Sequence, residues 1–176
     1  PWDASRKVFW MVPGQMMASN DTAPGETITQ GDDPNFIQSD VMQFDPAAPQ
    51  SARWKKTGAG LGPDPAETWM SVYDPVKDLL VRSGFNGGSG TVLNVLDCKT
   101  LTWRRVGIPA PFDNVRINKE YVAPDLVARK VYAIDGAHGR LYRFSLDTYA
   151  FEDLGAIPGG KAGVDVVSGA ETRPEV

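Results

Sequence analysis

The chain has 176 residues, 41% of them hydrophobic and 23% charged, which is enough apolar material to bury one core. Its net charge of −4 argues against an electrostatic nucleic-acid surface, and no run of eighteen apolar residues is present that would span a membrane. Its single cysteine excludes an internal disulfide and a zinc site made of clustered cysteines.

The first predicted repeat covers residues 1–58. Its opening segment, WDASRKVFWMVPG, predicts the end of one strand at Trp2-Asp3, a turn, and a second strand near 6–12. We expect the earlier part of that first strand to lie outside this chain. Two more strands are predicted near 40–45 and 52–57. Residues 14–40 form one long irregular loop, and we expect it on the surface, because a loop of this length in a compact repeat is usually functional or disordered.

Two further repeats follow the same pattern of four short strands. The second is predicted over 66–107, with strands near 68–73, 78–83, 91–96 and 102–106. The third is predicted over 116–155, with strands near 117–122, 129–134, 140–146 and 150–154. Residues 162–169 predict the first strand of a further repeat.

The repeats share a sequence pattern around the turn between their third and fourth strands. An apolar-alternating run closes on an aspartate, a short turn follows, and the chain resumes with an aromatic residue and then a glycine. Aspartate suits such a turn because its carboxylate accepts hydrogen bonds from backbone N–H groups two residues on. The residues in question are Asp45, Trp54 and Gly58, then Asp97, Trp103 and Gly107, then Asp147, Phe151 and Gly155.

The aromatic residues recur about every 50 positions, which favours packing inside the repeats over stacking on a ligand. Strand alternation further predicts a set of apolar residues buried between the repeats. These are Val8, Trp10, Leu80, Val95, Val131, Ala133 and Leu146.

The second repeat resembles a kelch-type blade. The features that carry the resemblance are the Gly87-Gly88 pair after the second strand, Asp97 and Trp103. The first and third repeats lack the Gly-Gly pair. The resemblance implies an all-β fold, a β-propeller made of four-stranded antiparallel blades, about three of them in this chain. A flat β-sandwich is the alternative.

Three blades are fewer than the four to eight that close a propeller ring. We therefore expect the ring to be completed from outside the chain. Either the chain is a piece of a longer or multichain protein, or it forms a homo-oligomer. The simplest homo-oligomer is a two-fold dimer in which 162–169 of one copy fills the gap before Trp2 of the other.

The direction of the strands predicts that the loops between second and third strands lie at the same end of the strands as the loops between repeats. We call this end the loop edge. Candidate ligand-binding residues lie in those loops. They are Asp32, Asp33, Asn35, Phe36, Asn86, Asp113, Arg116 and His138. The predicted function is a non-catalytic binding or scaffold module that recognises protein or carbohydrate at this edge.

The alternative function is a part of a propeller enzyme acting on polysaccharide or another extracellular substrate, with its catalytic residues in blades outside this chain. No catalytic residue, cofactor or metal site is assigned, because one histidine cannot build an imidazole copper site and Cys98 is predicted to be a free thiol without a catalytic role. Nucleic acid is not expected as a partner. An extracellular or periplasmic location is favoured slightly.

Overall fold

The computed structural model describes residues 1–12, 40–60, 62–63, 67–85, 91–108, 112, 117–135 and 138–158. In these residues the chain is all-β, with a three-residue 3-10 helix over Gln50–Ala52. Twelve strands form three four-stranded antiparallel sheets, as the predicted fold class requires. Most of the predicted long loop and the predicted strand 162–169 lie outside the described residues.

Each sheet is built from four strands that are consecutive in the chain and pair in that order. The first sheet contains β1 (Trp2–Asp3), β2 (Val8–Met11), β3 (Met42–Phe44) and β4 (Trp54–Lys56). The second contains β5 (Glu67–Asp74), β6 (Leu79–Phe85), β7 (Thr91–Asp97) and β8 (Thr102–Val106). The third contains β9 (Ile117–Asp125), β10 (Lys130–Asp135), β11 (Arg140–Ser145) and β12 (Phe151–Ala156).

The chain divides into two compact units. Residues 1–114 contain the first and second sheets, and residues 115–176 contain the third. The observed strands lie within three residues of the predicted ones. No helix among the described residues is long and apolar enough to cross a membrane.

The turn between the first and second strands is built in the same way in all three sheets. Asp3, Asp74 and Asp125 end the first strands, and the Oδ1 atom of each accepts a backbone N–H bond from two or three residues on. The residue four positions after each aspartate has φ of 55–57°, which turns the chain into the second strand. Those residues are Lys7, Asp78 and Arg129.

The predicted position of the aspartate in the third repeat is wrong. In the second sheet Trp103 pairs with Leu96, and the next residue, Asp97, accepts bonds from the backbone nitrogens of Lys99 and Thr100 at 2.8 and 2.9 Å. In the third sheet Phe151 pairs with Phe144, so Asp147 is two positions too late to be the equivalent of Asp97.

Ser145 occupies the equivalent position instead. Its Oγ accepts bonds from the backbone nitrogens of Asp147 and Thr148 at 3.1 and 3.4 Å. Asp147 lies on the turn, where its carboxylate is 2.8 Å from Arg129 Nε. The two cases look alike in the sequence because serine and aspartate both accept backbone hydrogen bonds in such turns.

One apolar core cluster of the first compact unit lies between its two sheets. Trp10 and Val41 of the first sheet pack with Tyr73, Leu80 and Leu96 of the second, and Trp103 packs against this cluster. The seven residues predicted to be buried are all buried: Val8, Trp10, Leu80, Val95, Val131, Ala133 and Leu146. Burial alternates along β2, whereas the described residues of β6 and β7 are buried on both faces, apart from the half-buried Asp97 at the end of β7.

Cys98 belongs to the same cluster and is a free thiol, as predicted. Burial, together with the negative charge of Asp78, raises the pKa of this thiol to about 12. Only a minute fraction of Cys98 is therefore thiolate at neutral pH, and the thiolate is the reactive form.

An ion-pair network also links the two sheets of the first compact unit. Arg6 donates to Asp3 Oδ2 at 2.6 Å in its own sheet and to both carboxylate oxygens of Asp78 in the second sheet at 2.6 Å. The hydroxyl of Tyr73 donates to Asp78 at 2.9 Å, and the indole of Trp10 donates to Asp3 at 3.3 Å. The network thus joins the two neighbouring turns above the apolar cluster.

The prediction that the three aromatic residues pack inside the repeats fails for Trp54. Trp54 lies on the face of the first sheet opposite to Trp10 and is 45% exposed. Trp103 and Phe151 are half-buried, and Phe151 stacks on Phe144 with 5.2 Å between ring centres. The same residue position therefore has different surroundings in different repeats.

Candidate functional site

Of the eight candidate ligand-binding residues, His138 alone lies among the described residues. The other seven lie outside them: Asp32, Asp33, Asn35, Phe36, Asn86, Asp113 and Arg116. His138 lies in the second compact unit, and the corresponding strand ends of the first unit are described separately.

His138 follows β10 and is held by the carboxylate of Asp135, the last residue of that strand. Asp135 Oδ2 is 2.7 Å from His138 Nδ1, and Oδ1 accepts the backbone N–H of His138 at 3.3 Å. The Asp135 side chain is fully buried, whereas 60% of the imidazole is exposed. The neutral imidazole that donates Nδ1–H to Asp135 keeps Nε2 as an acceptor, and the protonated ring donates from both nitrogens.

Charged residues flank this pair. Arg140 begins β11 directly opposite Asp135, and its Nη2 is 2.6 Å from Asp153 Oδ2. Tyr142 is buried, and its pKa is raised first by that burial and then by the negative charges of Asp153 and Asp135. The end of the third sheet next to His138 thus combines an oriented imidazole with the guanidinium of Arg140 and the carboxylates of Asp135 and Asp153.

At the same edge of the first sheet, Asp40 holds the loop that follows β4. Its carboxylate accepts bonds from the backbone nitrogens of Gly58 and Gly60 at 2.6 and 2.7 Å, and Thr57 Oγ1 is 3.4 Å away. Asp40 was not among the predicted site residues. Its sequence context does not indicate this role, because the backbone groups that bond to its carboxylate lie 18 and 20 residues further on.

Arg82 is a second feature that the sequence interpretation missed. It lies in β6 with only 2% of its surface exposed, and its guanidinium carbon is 4.8 Å from the ring centre of Trp103. Its Nη2 donates to the carbonyl of Pro63 at 3.1 Å. Arginine is seldom fully buried unless it is paired. The sequence of β6 therefore did not predict that Arg82 is buried against Trp103.

Asn94 lies directly opposite Arg82 on β7 and is 1% exposed. Among the described residues its Oδ1 has no hydrogen-bond partner, and the same holds for Ser83 Oγ and Trp103 Nε1. Within the part of the chain that the structure describes, no group of three His, Cys, Asp or Glu side chains could hold a metal ion.

Gly62 packs directly against the ring of Trp103. A Cβ at position 62 would lie 2.6 Å from Trp103 Cδ2, and φ at Gly62 is 75°. We expect Gly62→Ala to lower the free energy of unfolding by about 1–3 kcal/mol more than Gly58→Ala does. Gly58 is the matched control, because its φ is 83° but no atom lies within 4 Å of its Cβ position. Urea denaturation of the two variants measures the difference, and equal losses would contradict the packing of Gly62 on Trp103.

No protein-family model and no curated protein matches this chain. Two solved structures of AztD from Citrobacter koseri, one of them the apo form, are similar to it at 16% sequence identity and a TM-score of 0.38. Both matches cover 66% of this chain, and they cover 29% and 30% of the two AztD chains. The chain thus spans less than a third of these proteins, and a likeness at this level says nothing of function.

Proposed function

We propose that the chain is a set of kelch-like β-propeller blades that acts as a non-catalytic binding module, with His138 on its recognition edge. Three sheets with the same strand order and the same aspartate-led first turn support the repeat architecture. Repeats of this kind bury their sheet faces against one another and leave loops at the edges for recognition.

The observation that carries the proposal is the pair formed by Asp135 and His138. A buried carboxylate needs hydrogen-bond donors, and the backbone N–H of His138 already supplies one. The second bond orients an imidazole that remains mostly exposed. A fixed, exposed imidazole suits the recognition of a protein or carbohydrate ligand, because it offers a hydrogen-bond acceptor when neutral and a charged donor when protonated.

The same pair favours a second candidate function, a part of a propeller enzyme acting on polysaccharide. An imidazole oriented by a carboxylate is the arrangement of a general base. In this case the remaining catalytic residues would come from blades outside the chain, since the high pKa of Cys98 makes it a poor nucleophile. Release of new reducing ends from polysaccharides, lost in His138→Ala, would favour this candidate over the binding module.

The binding function is tested with ligands selected on the wild-type chain from a glycan array and a displayed peptide library. We expect His138→Ala to weaken the binding of the selected ligand about tenfold, which corresponds to the loss of one hydrogen bond. Val127→Ala is the matched control, because Val127 is 97% exposed on the opposite edge of the same sheet. Loss of binding in Val127→Ala with full binding in His138→Ala would place recognition at the other edge and refute the proposal.

A further inference from the structure

The first sheet carries a continuous aromatic stripe on its exposed face, with one residue from each of its four strands. Trp2 pairs with Phe9, Phe9 with Phe44, and Phe44 with Trp54. Their ring centres are 4.7, 6.4 and 4.7 Å apart in that order. Trp2, Phe9 and Trp54 are 43–45% exposed, and Met11 beside them is 38% exposed. A contiguous apolar patch of this kind marks an interaction surface.

The internal repeat shows what kind of surface this face receives. The equivalent stripe on the second sheet runs through Tyr73, Leu80, Leu96 and Trp103, in the same pairing register. That stripe is covered, because Trp10 and Val41 from the opposite face of the first sheet pack on it. In this pair of sheets, the face that carries the stripe packs against the other face of the neighbouring sheet, the one without the stripe.

The third sheet offers a matching opposite face. Tyr132 pairs with Arg143 as Trp10 pairs with Gln43, so Tyr132 is the equivalent of Trp10. By the same register Leu141 is the equivalent of Val41, and Ile134 is the equivalent of Val12. Tyr132, Ile134 and Leu141 are half-buried in the single chain. These three side chains could pack on the exposed aromatic stripe as Trp10 and Val41 pack on the stripe of the second sheet.

We propose that the aromatic stripe of the first sheet binds a second copy of this chain through the Tyr132 face of its third sheet. The contact reproduces the one between the first and second sheets, with Tyr132 in the place of Trp10. Each copy carries one stripe and one Tyr132 face, so a two-fold dimer built on this contact would contain it twice. Covering the stripe also removes its exposed aromatic area from water, which is the main driving force for such an association.

The test is sedimentation equilibrium of the full chain, whose monomer mass is 19.1 kDa. We expect the wild-type chain to sediment as a dimer. Phe9→Arg and Tyr132→Asp should each weaken the dimer at least a hundredfold, because each places a charge in both copies of the contact. Val76→Arg is the matched control, since Val76 is 70% exposed on the turn between β5 and β6 and belongs to neither face, and it should leave the dimer unchanged.

Mixing the two variants distinguishes this contact from pairing of two stripes. The Phe9→Arg chain keeps an intact Tyr132 face, and the Tyr132→Asp chain keeps an intact stripe, so the mixture should form a heterodimer although each variant alone is monomeric. Circular dichroism and urea midpoints close to wild type establish that the variants are folded. A wild-type monomer at 100 μM would overturn the proposal and leave a blade of another polypeptide as the occupant. A dimer that Phe9→Arg disrupts and Tyr132→Asp does not would overturn it in favour of stripe-to-stripe pairing.

Discussion

Leu80→Ala should lower the free energy of unfolding by about 2–5 kcal/mol, the usual range for emptying a packed aliphatic site. Leu80 lies in the second strand of the second sheet, has no exposed surface, and pairs with Tyr73 on one side and Leu96 on the other. All three face Trp10 and Val41 of the first sheet. Truncation therefore opens a cavity where the two sheets meet, and neither sheet can close it without losing its own contacts.

Urea denaturation measures this loss. Val76→Ala is the control within the same sheet, because Val76 is 70% exposed on the turn between β5 and β6, and we expect a change below about 0.5 kcal/mol. A loss that small for Leu80→Ala would mean that Leu80 is not packed against Trp10 and Val41 of the first sheet.

Asp3→Ala should lower the free energy of unfolding by about 3 kcal/mol, the second large effect that we expect. The fully buried carboxylate of Asp3 accepts five hydrogen bonds, from the backbone and hydroxyl of Ser5, the backbone and guanidinium of Arg6, and the indole of Trp10. Removing it leaves the buried indole N–H of Trp10 without this acceptor and takes one ion-pair partner from Arg6, and an unsatisfied buried donor is costly.

Asp125→Ala is the matched control for Asp3→Ala. Asp125 occupies the same turn position in the third sheet, where its carboxylate accepts the backbone N–H of Ala128 at 2.9 Å. We expect a loss of about 1 kcal/mol, the contribution of an ordinary turn hydrogen bond. Equal losses in the two variants would show that the contacts of Asp3 with Arg6 and Trp10 add nothing to stability.

The Asp3 network also predicts how stability depends on pH. Burial opposes ionisation of Asp3, but the hydrogen bonds from Arg6, Ser5 and Trp10 outweigh it and hold its pKa below the ordinary value. The hydrogen bonds from Arg6 likewise lower the pKa of Asp78, against the opposing effect of burial. The folded state therefore binds protons at Asp3 and Asp78 more weakly than the unfolded state does, where the pKa of an aspartate is about 3.9.

The stabilisation from both carboxylates is fully present above that unfolded pKa and is lost as the pH falls through the lower folded values. We expect the melting temperature of the wild type to fall more steeply below pH 4 than that of Asp3→Ala. At alkaline pH the direction reverses, because burial and the hydrogen bond to Asp78 raise the pKa of Tyr73 to about 12. That stabilisation should be lost as the pH rises from about 10 to 12, and Tyr73→Phe should remove the contribution of Tyr73 to this loss. The contribution of Cys98, whose pKa is also raised to about 12, should remain in that variant.

Turn chemistry and strand alternation could be predicted from the sequence because both are local. The aspartates at positions 3 and 74 bond to backbone groups two or three residues away, so the turns they form depend on few neighbours. Alternation has a period of two residues, so it identified Trp10 as buried before its partners were known. Leu80 was also predicted to be buried, but β6 is covered on both faces and does not alternate. The same local reasoning could not separate Ser145 from Asp147, since either residue can lead a turn.

The tertiary structure decided the environment of each repeat position. Trp54 and Trp103 hold the same place in their sheets, yet Trp54 is 45% exposed and Trp103 packs against the core cluster, since Trp10 and Val41 lie in front of the second sheet. The ion pairs of Arg6 likewise depend on Asp78, which is distant in sequence and close in space. Burial and charge pairing are set by whatever surface packs against a sheet face, and that surface comes from another part of the chain or from another molecule.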